Sequence, residues 1–199
     1  MKLITTINTK LGGHIAQLNM PYIVSCRKDA PCKKECYCNK GNLRFDNVRA
    51  SHIRKYELYK AEPQKFFNIL SAELDMVPYK YFRWHSSGDI VDEQYLELMC
   101  WLARKHRNTH FLCFTKKYEL VNEYLTHHKK PSNLVICLSN WGKWKVDNPH
   151  HLPTSYVNFG KGNEDIPEFA YECPGHCDTC PGTHCFHLKK NDSVVLKKH

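Results

Sequence analysis

The side chains best able to do chemistry are cysteines, and they gather at the two ends of the chain. Cys26-Arg-Lys-Asp-Ala-Pro-Cys32-Lys-Lys-Glu-Cys36-Tyr-Cys38 places four thiols in thirteen residues. Cys173-Pro-Gly-His-Cys177-Asp-Thr-Cys180-Pro-Gly-Thr-His-Cys185 repeats that density near the other end. Thiols this close in sequence are poorly explained by core packing. As thiolates they are soft donors, suited to zinc or to an iron–sulfur cluster. In the second set Pro174, Gly175, Pro181 and Gly182 let the chain turn tightly around a metal. Cys173, Cys177, Cys180 and Cys185 would complete a zinc tetrahedron on their own. A [4Fe–4S] cubane would accept all four, or three with one iron left open. In the first set the spacing favours Cys26, Cys32 and Cys36. Cys38 follows Cys36 too closely for both to bind one cubane comfortably, so it reads as a spare thiol. Disulfides are the competing account of both sets.

A second group of candidates binds rather than ligates. In His85-Ser86-Ser87-Gly88-Asp89, a glycine permits close backbone approach to a ligand. Asp89 could accept hydrogen bonds from an ammonium or hydroxyl group, and His85 could face a cluster or donate to its sulfur. The plainer account is a strand-to-helix turn with Asp as a cap. Thr115-Lys116 and Ser139-Asn140 each follow an apolar run and complete the candidate cofactor-binding set. No residue is singled out as catalytic. Cys100, Cys113 and Cys137 read as small core hydrophobes. His176, His184 and His187 are expected to be peripheral to the metal, and His127-His128 and His150-His151 to lie on the surface.

These residues need a scaffold. Residues 1–21 read as polar and irregular, with Tyr22-Ile23-Val24 as a strand entering the first cysteine loop. A helix is expected over 46–61, with Val48, Ile53 and Tyr56 inward. Another begins at Pro63 and carries Phe66, Phe67, Leu70 and Leu74 on one stripe. Tyr79–Trp84 reads as a strand. Residues 92–106 form the clearest helix, with Asp92 as its N-cap. His110–Phe114 is a strand, 118–128 a helix, Leu134–Leu138 a strand, and Ser155–Phe159 a last short strand. Alternation of this kind predicts an α/β fold with a parallel sheet, here a partial (β/α) barrel. Sites then belong at the C-terminal strand ends. The expected organisation is one domain over 1–199. Residues 22–142 form its core, and a loop-rich cysteine segment over 143–199 packs on that core.

Composition narrows the functional classes. The chain has 199 residues, 42% of them apolar, enough for a core. It has no apolar run long enough to span a membrane, and its first residues lack the apolar stretch of a secretory signal. Eleven cysteines, an odd number, without an export signal, fit a reducing cytoplasm with metal-bound thiolates better than a disulfide scaffold. The net charge of +9 allows nucleic acid as a partner without requiring it. The basic residues are spread along the chain, as on a solvated surface.

Asn8-Thr9-Lys10-Leu11-Gly12, the Cys26, Cys32 and Cys36-Tyr37 spacing, Arg83 with His85 and Ser87-Gly88-Asp89, Phe114-Thr115-Lys116, Ser139-Asn140 and the terminal cysteines together resemble the phage gene-product-eighty-eight family. That resemblance implies a phage or prophage origin, an infected bacterial host, and an uncharacterised biochemical role. The layout is also similar to a shortened radical-SAM core. Three cluster cysteines follow its first strand, and a Gly-Gly-Glu-Pro segment after its second holds SAM. Cys32, Cys36 and Ser87-Gly88-Asp89 stand in comparable places, with Asp instead of Glu and no Pro. The expectation is a [4Fe–4S] protein with redox or SAM-dependent chemistry. The alternative is a zinc-stabilised basic module that binds nucleic acid or a host protein.

Overall fold

The computed structural model describes residues 1–160 and 165–198. Among them, β1 (Ile15–Leu18), β2 (Tyr81–Trp84), β3 (His110–Thr115), β4 (Leu134–Ser139), β5 (Thr154–Asn158), β6 (Tyr171–Glu172) and β7 (Ser193–Lys197) form one sheet. Its order is β1-β2-β3-β4-β5-β7-β6, and every pairing is parallel. Between strands come α1 (Tyr22–Ser25), α2 (Asp46–Ala61), α3 (Pro63–Met76), α4 (Glu93–Lys105) and α5 (Tyr118–His127). The expected α/β class is therefore present, as an open run of strands with β1 and β6 at its edges.

Strand alternation divides the core in two. Phe82 and Trp84 point to the helical side and join Tyr59, Phe66, Phe67 and Tyr95. There the rings of Tyr59 and Tyr95 meet edge-on at 4.9 Å, and Phe67 meets Tyr95 at 5.2 Å. Such pairs add roughly 0.5–1.5 kcal/mol beyond the area they bury. Tyr81, one residue away, faces the opposite side with Ile15, Leu112, Val135, Cys137 and Val194. That side is covered by Phe186, Leu188 and the terminal cysteine segment. With both faces covered, Leu134–Leu138 is buried throughout and shows no alternation.

Several sequence expectations change here. Tyr22-Ile23-Val24 is a helical turn, not a strand. Pro21 sits at its N-cap, Ser25 Oγ donates to Pro21 O at 2.8 Å, and Ile23 and Val24 are exposed. The first strand lies earlier, inside the stretch read as irregular. Leu3 N and Ile4 N anchor that stretch to the Glu73 carboxylate at 2.7 and 2.8 Å. In α2 the buried residues are His52, Lys55 and Tyr59, and Ile53 is outside. A lysine can face inward where its aliphatic stem covers apolar surface. The sheet also extends beyond 22–142 in both directions, because 143–199 supplies β5, β6 and β7. The Lys161-Gly162-Asn163 part of the expected link to the terminal cysteines lies outside the described residues. By contrast α3 starts at Pro63 and buries Phe66, Phe67, Leu70 and Leu74 as expected. Asp92 caps α4 by accepting from Tyr95 N at 3.0 Å.

Candidate metal centre at the strand ends

The loops after β1, β2, β3 and β4 converge on one rim of the sheet. Beyond β2, the His85–Asp89 segment forms a collar for the first cysteine loop. Met20 N donates to Ser87 O at 3.0 Å, Ser87 N to Asn19 Oδ1 at 3.1 Å, and Ser87 Oγ to Met20 O at 3.1 Å. Asp89 N donates to Ser25 Oγ at 3.1 Å. Gly88 adopts φ +86° inside this collar. A Cβ there would stand 2.6 Å from both Met20 O and Ser25 Oγ, so only glycine fits. The loop itself leans back on the collar. Tyr37 OH donates to Ser86 O, and Cys38 Sγ lies 3.5 Å from Ser87 Oγ.

The loop beside this collar carries Cys26, Cys32 and Cys36, near enough for their charges to act on one another. All three are half-buried free thiols. Burial pushes Cys26 up to about 12, and the charges of Asp89, Cys32 and Cys36 add to the effect. Burial also raises Cys32. Cys36 moves the other way, down to about 6, because it shares a hydrogen bond with Cys38. Lys116 counters the negative charge at all three positions. The thiols are thus mutually coupled, with a cation beside them. Cys38 is buried behind them as a hydrogen-bonding partner of Cys36, a position more specific than the spare thiol expected.

The remaining candidate binding residues are largely committed to the chain itself. His85 is buried, with Nε2 3.1 Å from Tyr95 OH and Nδ1 3.9 Å from Cys113 Sγ. The Asp89 carboxylate accepts from Thr115 Oγ1 at 2.6 Å, Lys116 N at 3.0 Å and Ile90 N at 2.8 Å. Lys116 Nζ donates to Ser139 Oγ at 2.8 Å and lies over the Trp141 ring. Asn140 donates its backbone N–H to Ser155 O at 2.8 Å, while its buried Oδ1 has no partner among the described residues. Ser86 is half-buried and spends its carbonyl on Tyr37.

Residues 2–163 match the Gene product 88 family, a family of phage gene products. The chain belongs to this family. No curated protein and no solved structure matches it. In this Gene product 88 protein the match contains the first cysteine set and the whole rim, and it ends before Cys173.

The terminal set lies on the sheet face opposite the helices. Cys173, Cys177 and Cys185 pack against its apolar cluster, and Tyr171 OH lies 3.4 Å from Cys180 Sγ. Cys177 N donates to Lys10 O at 2.8 Å and Cys173 N to Val195 O at 2.9 Å. Burial pushes Cys185 up to about 12, with Cys173, Cys177 and Cys180 adding their charges. Cys100, Cys113 and Cys137 are fully buried as expected, but Cys137 faces this set and feels Cys185. All eleven cysteines are free thiols. Among the described residues, no three His, Cys, Asp or Glu side chains converge closely enough to hold a single metal ion. Among the histidines of this segment, His184 stacks on Tyr171 at 3.9 Å and His187 meets His110 at 4.8 Å.

Arg83 is the site residue that sequence reasoning passed over as a candidate. It projects from β2 to the tail side, its guanidinium lies 4.1 Å from the centre of the Phe114 ring, and its Nε donates to Trp84 O at 3.1 Å. Its charge acts on Cys177 and Cys185 as well as on Tyr37 beside Cys36. The available signal was an arginine in an otherwise aromatic strand, two residues before His85. Among the described residues no helix is long and apolar enough to cross a membrane.

Proposed function

We propose that this protein binds an iron–sulfur cluster of the [4Fe–4S] type at the strand-end rim and uses it for electron transfer. Cys26, Cys32 and Cys36 are its ligands. The observation that carries the reading is the coupling of three half-buried free thiols in one loop, with Lys116 beside them and Cys38 behind Cys36. Zinc would need donors drawn in to about 2.3 Å from one ion. A cubane is a larger body and takes thiolates that stand apart. Three thiolates make the bound cluster anionic. Lys116 and the Cys38 hydrogen bond to Cys36 offset that charge and favour the reduced state, since nearby hydrogen bonds and charge set cluster potentials.

The parallel sheet, continued as a partial barrel, would give the radical-SAM-like layout that the sequence suggests. We place electron transfer ahead of SAM chemistry on the state of the collar. Ser87 and Asp89 spend their side chains on the chain, and Gly88 is pressed against Met20. Such a collar holds the cysteine loop and leaves little to hold an amino acid.

The deciding experiment is anaerobic purification and reconstitution, followed by iron, sulfide and zinc analysis with an absorption spectrum. Brown protein with about four iron and four sulfide per cluster is expected. Colourless protein that takes up only zinc overturns the reading.

A further inference from the structure

We propose that the exposed face of residues 22–54 is a docking surface for an acidic electron-carrier protein. The proposal rests on the electron-transfer reading above and supplies its partner.

Positive charge is concentrated in this segment. Over residues 22–54 eight Lys and Arg side chains stand against three Asp and Glu. About a sixth of the chain thus carries more than half of its net charge of +9. Asp29 and Glu35 are spent on Arg27 and Lys198, both at 2.7 Å. Asp46 stands in the first turn of α2, where a carboxylate favours the helix N-terminus. Lys28, Lys33, Lys34, Arg44 and Arg54 are exposed and make no ion pair among the described residues.

Apolar exposure is concentrated there too. Ile23, at 67% exposed, with Val24, Tyr37, Phe45 and Ile53, makes up half of the exposed large apolar side chains among the described residues. The Arg44 guanidinium lies 5.7 Å from the centre of the Phe45 ring. The segment is tied into one unit at Asn39. Tyr22 OH donates to Asn39 Oδ1 at 2.5 Å, and Arg49 Nη2 donates to the same oxygen at 3.4 Å. Helix α1, the loop that carries Cys26, Cys32 and Cys36, and the start of α2 therefore share one surface.

The aliphatic side chains decide between the two macromolecules that seek a basic surface. Nucleic acid uses cations for phosphate and rings for stacking. Ile23, Val24 and Ile53 offer neither. Protein interfaces combine apolar anchors with a charged rim, and charge complementarity makes this partner acidic. Complexes that pass electrons are small and transient, and steering by charge brings them together. With a flavin carrier the transfer needs no further reactant. The anionic flavin hydroquinone loses one electron to become the neutral semiquinone, and the rim cluster gains that electron.

Titration calorimetry with a bacterial flavodoxin, on the protein before and after anaerobic reconstitution, tests the proposal. A single-stranded DNA oligonucleotide is the rival probe. Flavodoxin binding should weaken about tenfold between ~0.05 M and ~0.3 M salt. Lys34→Glu/Arg54→Glu and Ile23→Ser/Val24→Ser should each weaken it about tenfold at low salt. All four side chains are exposed, so both variants should keep the unfolding temperature of the wild type. No flavodoxin binding at low salt overturns the proposal, as does binding that the charge reversal leaves unchanged. Tighter binding of the oligonucleotide overturns it in favour of nucleic acid. Protein that takes up its cluster and ignores flavodoxin sinks this proposal alone. Protein that binds flavodoxin through these residues but takes up no iron keeps the docking surface and sinks the rim cluster.

Discussion

Gly88 tests how much of the rim depends on one hydrogen atom. Gly41 has a similar left-handed backbone, φ +54°, but nothing lies within 4 Å of where its Cβ would be. Gly41→Ala should therefore cost only backbone strain, about 1–3 kcal/mol at most. Gly88→Ala adds collision with Met20 O and Ser25 Oγ. It should lower the unfolding temperature clearly more than its partner variant and expose Cys38 to alkylation, which mass spectrometry reads. His85 gives a pH prediction. Burial holds it at about 3, well below its usual 6.5, so it is neutral in the folded protein. As pH falls below 6.5 the unfolded chain takes up a proton that the folded one refuses, and stability drops until about pH 3. At pH 5 the loss from this residue is about 2 kcal/mol. Asparagine tolerates the left-handed φ of +55° found at His85. Urea unfolding at pH 7 and pH 5 should therefore show a smaller acid loss for His85→Asn than for the wild type.

At the scale of elements, Asp92 holds the start of α4 and also accepts a hydrogen bond from Tyr59 OH. Asp92→Ala should cost about 1 kcal/mol for the lost cap alone, or about 2–4 °C in thermal unfolding for a chain of this size. That cap was legible in the sequence because Asp stood directly before a strong apolar stripe. The helix at Pro63 was legible for the same reason. Strand β1 was not, because Ile-Ala-Gln-Leu is short and its register comes from pairing with Tyr81–Trp84, far along the chain. The α2 face was misread because apolar residues do not mark it. Lys55 and His52 are buried on the face that α2 turns toward the rest of the protein, and burial lowers the affinity of both for a proton. The cysteine sets were legible from spacing alone. Where the terminal set sits was not, since that depends on which face of the sheet its segment covers.

At the scale of the molecule, one sheet carries helices on one side and a cysteine-bearing segment on the other. Ending the chain at residue 160 would remove β6, β7 and the cover over Ile15, Leu112, Val135 and Cys137. Apolar patches of that kind associate when left bare. The truncated chain should elute from a sizing column as aggregate, even though it keeps nearly all of the family-matched segment. A monomeric, folded product would show that the terminal segment is dispensable for the sheet.

The linear order of strands has a consequence for biosynthesis. The rim loop leans on the collar after β2 and on Lys116 after β3, but Arg27 also pairs with Glu119 at 3.0 Å and Glu35 with Lys198 at 2.7 Å. The loop that carries Cys26 to Cys38 therefore gains its last tether only once synthesis has reached Lys198, long after its own collar has been made.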